Sequence, residues 1–355
     1  MTQRIAFITG TRAEYGILRS VLDAADAHPD IEPMLVVTGT HLTTQSAADI
    51  AHPITAKVRM QRKEASGYDA DVQALSRGVA GFGKAFAKLA PDAVVVLGDR
   101  VEMLAAATAA SVGGRILAHI HGGDRAEGVA DEAMRHAISK LAHLHFPATA
   151  QSKRRLIRMG EDPATVHNVG SPAIDALKGV TPDPDAPPLL IMQHPVGAAD
   201  DAERGWMDAT LRATAKHERV VFAPNHDPGA QGIRQAITDH GIDPVEHLPR
   251  ERFASLLAGA RVIVGNSSAG LIEAAALRTA CVNIGPRQGG REAPGSVVPC
   301  GYGVGKVRNA LKQALQLDIT KMRHPYGKGD AGQRIVDTLA PINLSECSRR
   351  KRNAY

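Results

Sequence analysis

Three stretches of this chain gather acids, imidazoles and guanidiniums where apolar runs end. Gly98-Asp99-Arg100 follows the run 93–97, His121-Gly122-Gly123-Asp124 follows 115–120, and residues 131–136 read Asp-Glu-Ala-Met-Arg-His. Carboxylates and imidazoles grouped in this way can give and take protons. Asp131 and Arg135 stand one helical turn apart, a spacing that lets the guanidinium keep the carboxylate ionised. Such pairs are also common on solvated surfaces, where they contribute little. Their place directly after His121-Gly122-Gly123-Asp124 favours a working pair. His119 and His121 alternate along one run, as do His143 and His145, so each pair is expected to share a face. With Asp124 and His136 nearby this could suggest zinc, but no His-Glu-x-x-His and no cysteine partner accompanies them, and no metal is assigned.

A second kind of chemistry is written in glycine, serine and arginine. Gly10-Thr11-Arg12 lies where a strand passes into a helix, so backbone N–H groups and the Arg12 fork could meet an anion. A turn glycine beside a surface arginine would look the same. It lacks the G-x-G-x-x-G spacing of a dinucleotide site, so NAD loses support. Gly265-Asn266-Ser267-Ser268-Ala269-Gly270 is more telling, because two hydroxyl residues between glycines open a helix and can bring amides and hydroxyls to a phosphate. An ordinary N-cap explains Ser267 or Ser268 singly, but not both together. Glu273, a turn later, is placed to reach a ribose diol. The stretch fails the G-x-S-x-G pattern, so a serine hydrolase is not indicated. Gly285-Pro286-Arg287-Gln288-Gly289-Gly290-Arg291 then offers a loop with two arginines that could wrap a diphosphate.

The elements that must position these groups alternate strand and helix. Apolar runs at 5–9, 33–38, 93–97, 115–121 and 143–147 are read as strands, with helical spacing at 14–28, 75–89, 101–112, 131–142 and 151–159. Residues 46–68 are polar and irregular and read as a mobile loop or lid. Strands apolar on both faces belong in a covered parallel sheet, and the alternation gives a doubly wound α/β domain whose ligand edge is the carboxyl end of its strands. The proline-rich stretch 179–188 marks a linker. Beyond it, strands at 189–193, 220–223, 262–264 and 281–284 repeat the pattern, with helices from about 201, 229, 252, 269 and 306. The fold class expected is α/β, two Rossmann-like domains facing across a cleft: residues 1–180, then residues 181–345 with the last helix packing back on the first domain, then a basic tail, 346–355, expected to be disordered.

Bulk properties narrow the function classes. At 355 residues the chain is too long for one ordinary core. It has no apolar run near the ~20 residues a membrane helix needs. The N-terminus enters a strand at once, so no secretory signal is read, and three scattered cysteines, Cys281, Cys300 and Cys347, form no disulfide or zinc framework. A reduced, cytoplasmic protein without membrane contact is expected. The net charge of +5 falls to about +2 without Glu346, Arg349, Arg350, Lys351 and Arg352 of the tail. Together with 3% aromatic residues, that argues against a nucleic-acid partner.

The segments ITGTRAEYG, TGTHL, LGDRVEM, HIHGGD, DEAMRHAISKLAHLHF, NVGSPAID, QHPV, LPRERF, VGNSSAGLIEA and NIGPRQGGRE, in this order from about residue 4 to residue 339, resemble the hydrolysing UDP-N-acetylglucosamine 2-epimerases of sialic acid and related nonulosonic acid pathways. The resemblance implies a glycosyltransferase B-type fold holding UDP. It also implies the reaction of UDP-GlcNAc with water to N-acetylmannosamine and UDP, with no metal or other cofactor. UDP leaves as the C2 proton is removed, and water adds to the 2-acetamidoglucal. By the same resemblance Asp99 and Asp131 are catalytic carboxylates, and Arg100, Arg135, His41, His143, His145 and His194 surround sugar and phosphates. Arg12, Asn266, Ser267, Ser268, Gly270, Glu273, Arg287 and Arg291 match the remaining substrate-binding motifs. A homodimer or homotetramer is the expected assembly.

Two departures from the pattern matter. His121 stands where the sialic acid members carry a catalytic Glu, and the loop after Asp124 is one residue longer and contains Glu127. His121, Asp124 and Glu127 are therefore the candidates for the missing acid/base. The His-Ile-His-Gly-Gly form resembles another branch of the family, which opens a UDP-2,4-diacetamido-2,4,6-trideoxyhexose of the legionaminic acid pathway as the alternative substrate. UDP-GlcNAc stands first from sequence. The non-hydrolysing epimerase, a glycosyltransferase and a non-catalytic UDP-sugar-binding protein are the readings from other classes.

Overall fold

The structure, a computed structural model, describes residues 2–354 other than 45, 64–66, 128–130, 226, 321 and 345–346, and all of their side chains except those of Ser46 and Asp131. The chain divides into two compact units, the first made of Met1–Asp124, Ala130–Ala176 and Gly327–Tyr355, the second of Arg125–Val129 and Leu177–Tyr326.

In the first unit the apolar runs become β1 (Gln3–Thr9), β2 (Ile31–Val37), β3 (Ile54–Lys57), β4 (Ala93–Leu97), β5 (Ile116–Ile120) and β6 (Leu144–Phe146). They form one parallel sheet in the order β3-β2-β1-β4-β5-β6. Successive side chains of a strand point to opposite faces. Ile5, Phe7, Ala93, Val95 and Leu97 therefore fill one core while Ala6, Ile8, Val94 and Val96 fill the other. Both faces need helices, which are α1 (Arg12–Asp26), α2 (Tyr68–Leu89), α3 (Val101–Val112), α4 (Asp131–Leu141), α5 (Ala150–Arg158) and the single turn α6 (Pro172–Asp175). Glycine weakens α2, yet a Cβ on Gly78 would sit 2.8 Å from that of Ala105 in α3 and 3.0 Å from Met60, so close helix packing requires it.

The second unit holds β7 (Leu189–Met192), β8 (Arg219–Val221), β9 (Val262–Gly265), β10 (Ala280–Ile284) and β11 (Val297–Cys300), in the order β11-β10-β9-β7-β8. Its helices are α7 (Asp200–Thr214), α8 (Ala230–Asp239), α9 (Arg250–Gly259), the single turn α10 (Glu273–Ala276) and α11 (Val304–Ala314). The chain then returns to the first unit as α12 (Ala331–Leu339), whose first two N–H groups, on Ala331 and Gly332, donate to the Asp175 carboxylate at 3.0 and 2.6 Å. Ile335, Val336 and Leu339 complete the core that α1 covers.

Several expectations need correction. Residues 46–68, read as a loop, contain β3, a four-residue edge strand half-buried on one side and exposed on the other, too short to stand out among its polar neighbours. β11, another edge strand, went unread. The helix expected from residue 269 is a tight 3-10 turn, Ser268–Gly270, followed by α10. The basic end, expected to be disordered, makes contacts with the first unit at Lys351 and Ala354. Lys351 Nζ lies 2.5 Å from Glu161 and donates to the Ser139 carbonyl at 3.0 Å, and the Ala354 N–H donates to the Gly160 carbonyl. A buried carboxylate needs cations, and the tail supplies one.

Each sheet has a point where strand order reverses, the place where open α/β sheets bind ligands at their carboxyl ends. In the first unit it lies between β1 and β4, above Gly10 and Gly98-Asp99. In the second it lies between β7 and β9, above Gln193-His194 and Asn266-Ser267.

Candidate functional site

In the first unit, Leu97 of β4 pairs with Ile120 of β5, so Asp99 and His121 leave neighbouring strands side by side. β5 ends at Ile120, and His121 adopts a left-handed backbone, φ +66°. The shared face expected for His119 and His121 is thereby broken. His119 turns inward, donating from Nε2 to the Gly98 carbonyl at 2.7 Å and accepting the Ser139 hydroxyl at Nδ1. Burial pushes it down to about 3, so it is neutral and structural. His121 turns the other way. Its Nδ1 lies 3.0 Å from Asp124 Oδ2 and its Nε2 2.9 Å from Ser171 Oγ. The other oxygen of Asp124 accepts the Ser152 hydroxyl at 2.7 Å. Gly123, φ +78°, admits this turn because a Cβ there would stand 2.5 Å from the Ser152 carbonyl oxygen.

Arg135 ties the cluster together from α4. Fully buried, it donates to the Asp99 carboxylate, to the Asp124 carbonyl at 3.0 Å and to Glu132 at 2.7 Å. Burial works against its charge, but Asp99, Asp124 and Glu132 outweigh that and hold its pKa above the ordinary value. The partners that the structure gives this arginine, Asp99 and Glu132, were not those read from sequence. Asp131 opens α4, and its side chain lies outside the described residues. Among the described residues, no three or more His, Cys, Asp or Glu stand together as a metal site.

Three other sequence candidates sit elsewhere than expected. His143 precedes β6 and so lies at the amino end of its strand, away from the ligand edge, where its Nδ1 accepts the Leu117 N–H and its Nε2 approaches the Arg349 carbonyl. His145 is fully buried on Glu161, 2.9 Å away. Both are shifted down by burial. Glu127 belongs to the second unit, where its N–H donates to the Gly289 carbonyl at 3.0 Å and its carboxylate pairs with Arg125.

Around Gly10 the anion turn is more occupied than its sequence suggests. Thr11 caps α1 by accepting the Glu14 N–H, and Glu14 reaches back to the Gly10 N–H at 2.9 Å, so that donor is spent. Arg12 pairs with Asp49 at 2.8 Å in an exposed bridge. His41 is buried against Thr9, 3.2 Å from Oγ1 to Nε2, and edge-on to Tyr15. Arg100 lies 3.4 Å from the fully buried Glu102, which also accepts from Gln61 at 2.7 Å. Burial, reinforced by Glu102, pushes Glu14 up to about 8.

The second unit builds its own cluster at its switch point. Asn266 clamps the β7 turn, its Oδ1 accepting the His194 N–H and its Nδ2 donating to the His194 carbonyl, both at 2.7 Å. His194 Nδ1 accepts the Asn225 N–H at 3.2 Å, and burial, with Arg287 adding to it, pushes the ring down to about 3. A neutral ring with its proton on Nε2 results. Arg287 and Gln288 both donate to the Asn266 carbonyl, at 3.3 and 2.9 Å. Ser267 caps the following turn, and it and Ser268 are both partly exposed. Gly270 packs where a Cβ would lie 2.6 Å from Cys281 Sγ, and the Glu273 carboxylate is bound by Arg250. Arg291 lies in the same loop as Arg287.

Sequence reading passed over Ser152, Ser171, Glu14, Glu102 and Glu161. Two left signals, Thr11-x-x-Glu14 as a capping box and Glu102 as an acid inside an alanine-rich helix. Ser171 offered only its place before Pro172.

The chain has well-defined relatives. A family model described as UDP-N-acetylglucosamine 2-epimerase matches residues 23–340. A Legionella pneumophila protein named UDP-N,N'-diacetylbacillosamine 2-epimerase (hydrolyzing) is 35% identical, with 100% of each chain covered. The UDP-N-acetylglucosamine 2-epimerase of Neisseria meningitidis is 29% identical over 92% of each. The crystal structure of a Neisseria meningitidis UDP-GlcNAc 2-epimerase bound to UDP-GlcNAc superposes with a TM-score of 0.80 over 95% of this chain and 99% of that one, at 20% identity, so the two share the glycosyltransferase B-type fold. Two parallel sheets with acids, imidazoles and arginines at their switch points, and relatives matched along the full length, lead to one statement: the chain belongs to the UDP-N-acetylglucosamine 2-epimerase family.

Proposed function

We propose that this protein is a hydrolysing 2-epimerase that converts UDP-N,N'-diacetylbacillosamine and water to UDP and the free 2-epimeric sugar. The observation that carries this reading is the 35% identity, over the whole of both chains, to a protein named for that reaction. His121, in place of the acid of the sialic acid branch, is consistent with it. Asp99 and His121 are the two proton-transfer groups in this reading, because they leave adjacent strands and each has its orientation fixed, by Arg135 and by Asp124.

The C2 hydrogen of the sugar is not acidified by a carbonyl, so departure of the diphosphate must drive its removal. In the first step one group takes the C2 proton, the C1–O bond to UDP breaks and a C1=C2 bond forms. In the second, water adds its oxygen to C1 while C2 gains a proton on the opposite face. Charge developing on the departing diphosphate calls for preorganised donors. Ser267, Ser268, Arg287 and Arg291 supply them in this reading. Asp131 and Glu127 are the remaining carboxylates whose replacement tests the assignment.

Proton NMR of the protein with each of two sugar nucleotides in D2O tests the function. The expected result is release of UDP with deuterium at C2 of the product, and a larger kcat/KM for the diacetamido trideoxy sugar than for UDP-GlcNAc. A pocket shaped for a 4-acetamido group and no 6-hydroxyl makes that difference at least about ten-fold. The reverse preference would establish UDP-GlcNAc as the substrate, a second reading that rests on the Neisseria relative. Binding of both without UDP release would overturn the enzyme reading in favour of a sugar-nucleotide-binding protein.

A further inference from the structure

Ser171, His121, Asp124 and Ser152 form one unbroken hydrogen-bonded chain of side chains. The links are 2.9 Å from Ser171 Oγ to His121 Nε2, 3.0 Å from His121 Nδ1 to Asp124 Oδ2 and 2.7 Å from Ser152 Oγ to Asp124 Oδ1. We propose that Ser171 is a positioning residue for catalysis, the group that fixes the ring plane of His121 and holds its lone-pair nitrogen, while Asp124 sets which nitrogen carries the proton. This rests on the reading of His121 as an acid/base group.

The direction of each bond follows from what its atoms can do. An ionised Asp124 only accepts, so it takes the hydrogen of His121 Nδ1 and the hydroxyl hydrogen of Ser152. Nε2 is then the lone-pair nitrogen. Ser171 Oγ already accepts the Ala173 N–H at 3.2 Å as the N-cap of α6, so its own hydrogen is free to point at Nε2. The neutral ring is thus held at both nitrogens in one tautomer, with the basic atom turned toward Ser171. When Nε2 takes up a proton the hydroxyl can rotate and accept from it, so the contact survives both charge states.

The carrier of Ser171 is as firmly held as the ring. Gly170 turns the chain at φ +89°, Pro172 starts α6, and Asp175 at the end of that turn accepts two N–H groups of α12. Ser171 is 1% exposed while the His121 side chain is 12% exposed. The serine is therefore the buried partner, and the imidazole is the more exposed of the two groups. This also separates the arrangement from nucleophilic catalysis, which would need the serine oxygen in the open.

Three variants and one spectrum test this. Ser171→Gly removes the hydroxyl and keeps an N-cap nearly as good as serine. It is expected to lower kcat at least about ten-fold with KM within about two-fold, as for a misoriented proton-transfer group. Ser171→Thr keeps hydroxyl and cap and is expected to restore most of kcat. His121→Ala is expected to abolish turnover, and full activity there would remove the acid/base reading itself, whatever Ser171 does. If His121→Ala is inactive while Ser171→Gly keeps parental kcat, only the positioning inference falls. Nitrogen NMR of the parent protein labelled in histidine needs no variant to fold. The proton is expected on His121 Nδ1 with Nε2 bare and hydrogen-bonded, and a proton found on Nε2 in the neutral ring would overturn the proposal.

Discussion

Arg135 is the side chain on which the charge balance of the first unit turns. It is 2% exposed and meets Asp99, Glu132 and the Asp124 carbonyl. Removing one partner of a buried ion pair strands the other, which costs more than the pair itself contributes. Arg135→Met is expected to lose about 3 kcal/mol in urea unfolding, and about 1–2 kcal/mol less when Asp99 is already Asn. Equal losses in both backgrounds would mean that Asp99 is not the partner. Glu14 gives a prediction with a sign in pH. Its folded pKa of about 8 lies above the ordinary 4.5, so between these values the native chain binds more protons than the unfolded one. Stability therefore falls as pH rises through that window and flattens above it. Glu14→Gln keeps the uncharged shape and removes the slope, so its Tm relative to the parent should be higher near pH 8 than near pH 5. A relative Tm that does not change between these pH values would show that Glu14 titrates normally. Thr11-x-x-Glu14 was readable as a cap, but the proximity of Glu102, which comes from a different strand-helix turn, was not.

At the scale of the element, the central strands were legible because burial on both faces leaves unbroken apolar runs in β1 and β4, and in β5 a run interrupted only by the buried His119. The edge strands β3 and β11 were not, since each is only four residues long and none of their residues is fully buried. The fate of His121 was equally hidden. Alternation assigns faces only while a strand continues, and a positive φ one residue beyond β5 reverses the outcome. Its two glycines were in view, yet what Gly123 admits is set by α5, distant in sequence, and Gly122 packs against His119 and Ser139. Gly123→Ala places a methyl 2.5 Å from the Ser152 carbonyl oxygen at φ +78° and is expected to cost at least about 2 kcal/mol. Because the shifted turn carries Asp124, kcat should fall more than KM rises. Gly83→Ala in α2 is the matching control, for nothing lies within 4 Å of its added methyl and an alanine is the better helix former. It should raise stability by about 0.5–1 kcal/mol. A gain at position 123, or a loss at position 83, would contradict this account of the two glycines.

For the whole molecule, the informative feature is that the chain returns to its first unit and ends there. α12 joins a core begun by β1 and α1, and the residues after it carry the basic run that sequence reading set aside as a disordered end. A cluster of like charges at a terminus does look solvated, and Arg350 and Arg352 are indeed exposed. What composition does not disclose is that Lys351 turns inward to Glu161, a buried carboxylate already bonded to Lys140 at 2.7 Å and to His145. Burial alone would raise the pKa of Glu161, but hydrogen bonds from His145, Lys140 and Lys351 overcome it and bring the group down to about 2. A carboxylate with a depressed folded pKa stabilises above its unfolded pKa of 4.5, and that stabilisation is lost as pH falls toward about 2. Deleting residues 349–355 should therefore cost about 1–3 kcal/mol at neutral pH, the worth of a charged hydrogen bond to a buried acid, and the difference from the full chain should shrink steadily below about pH 4.5. Lys351→Met should reproduce most of the loss and Arg350→Met almost none, because only the former cation is turned inward. Should Arg350→Met and Lys351→Met prove equally costly, net tail charge and not the Glu161 contact would be what stabilises the first unit.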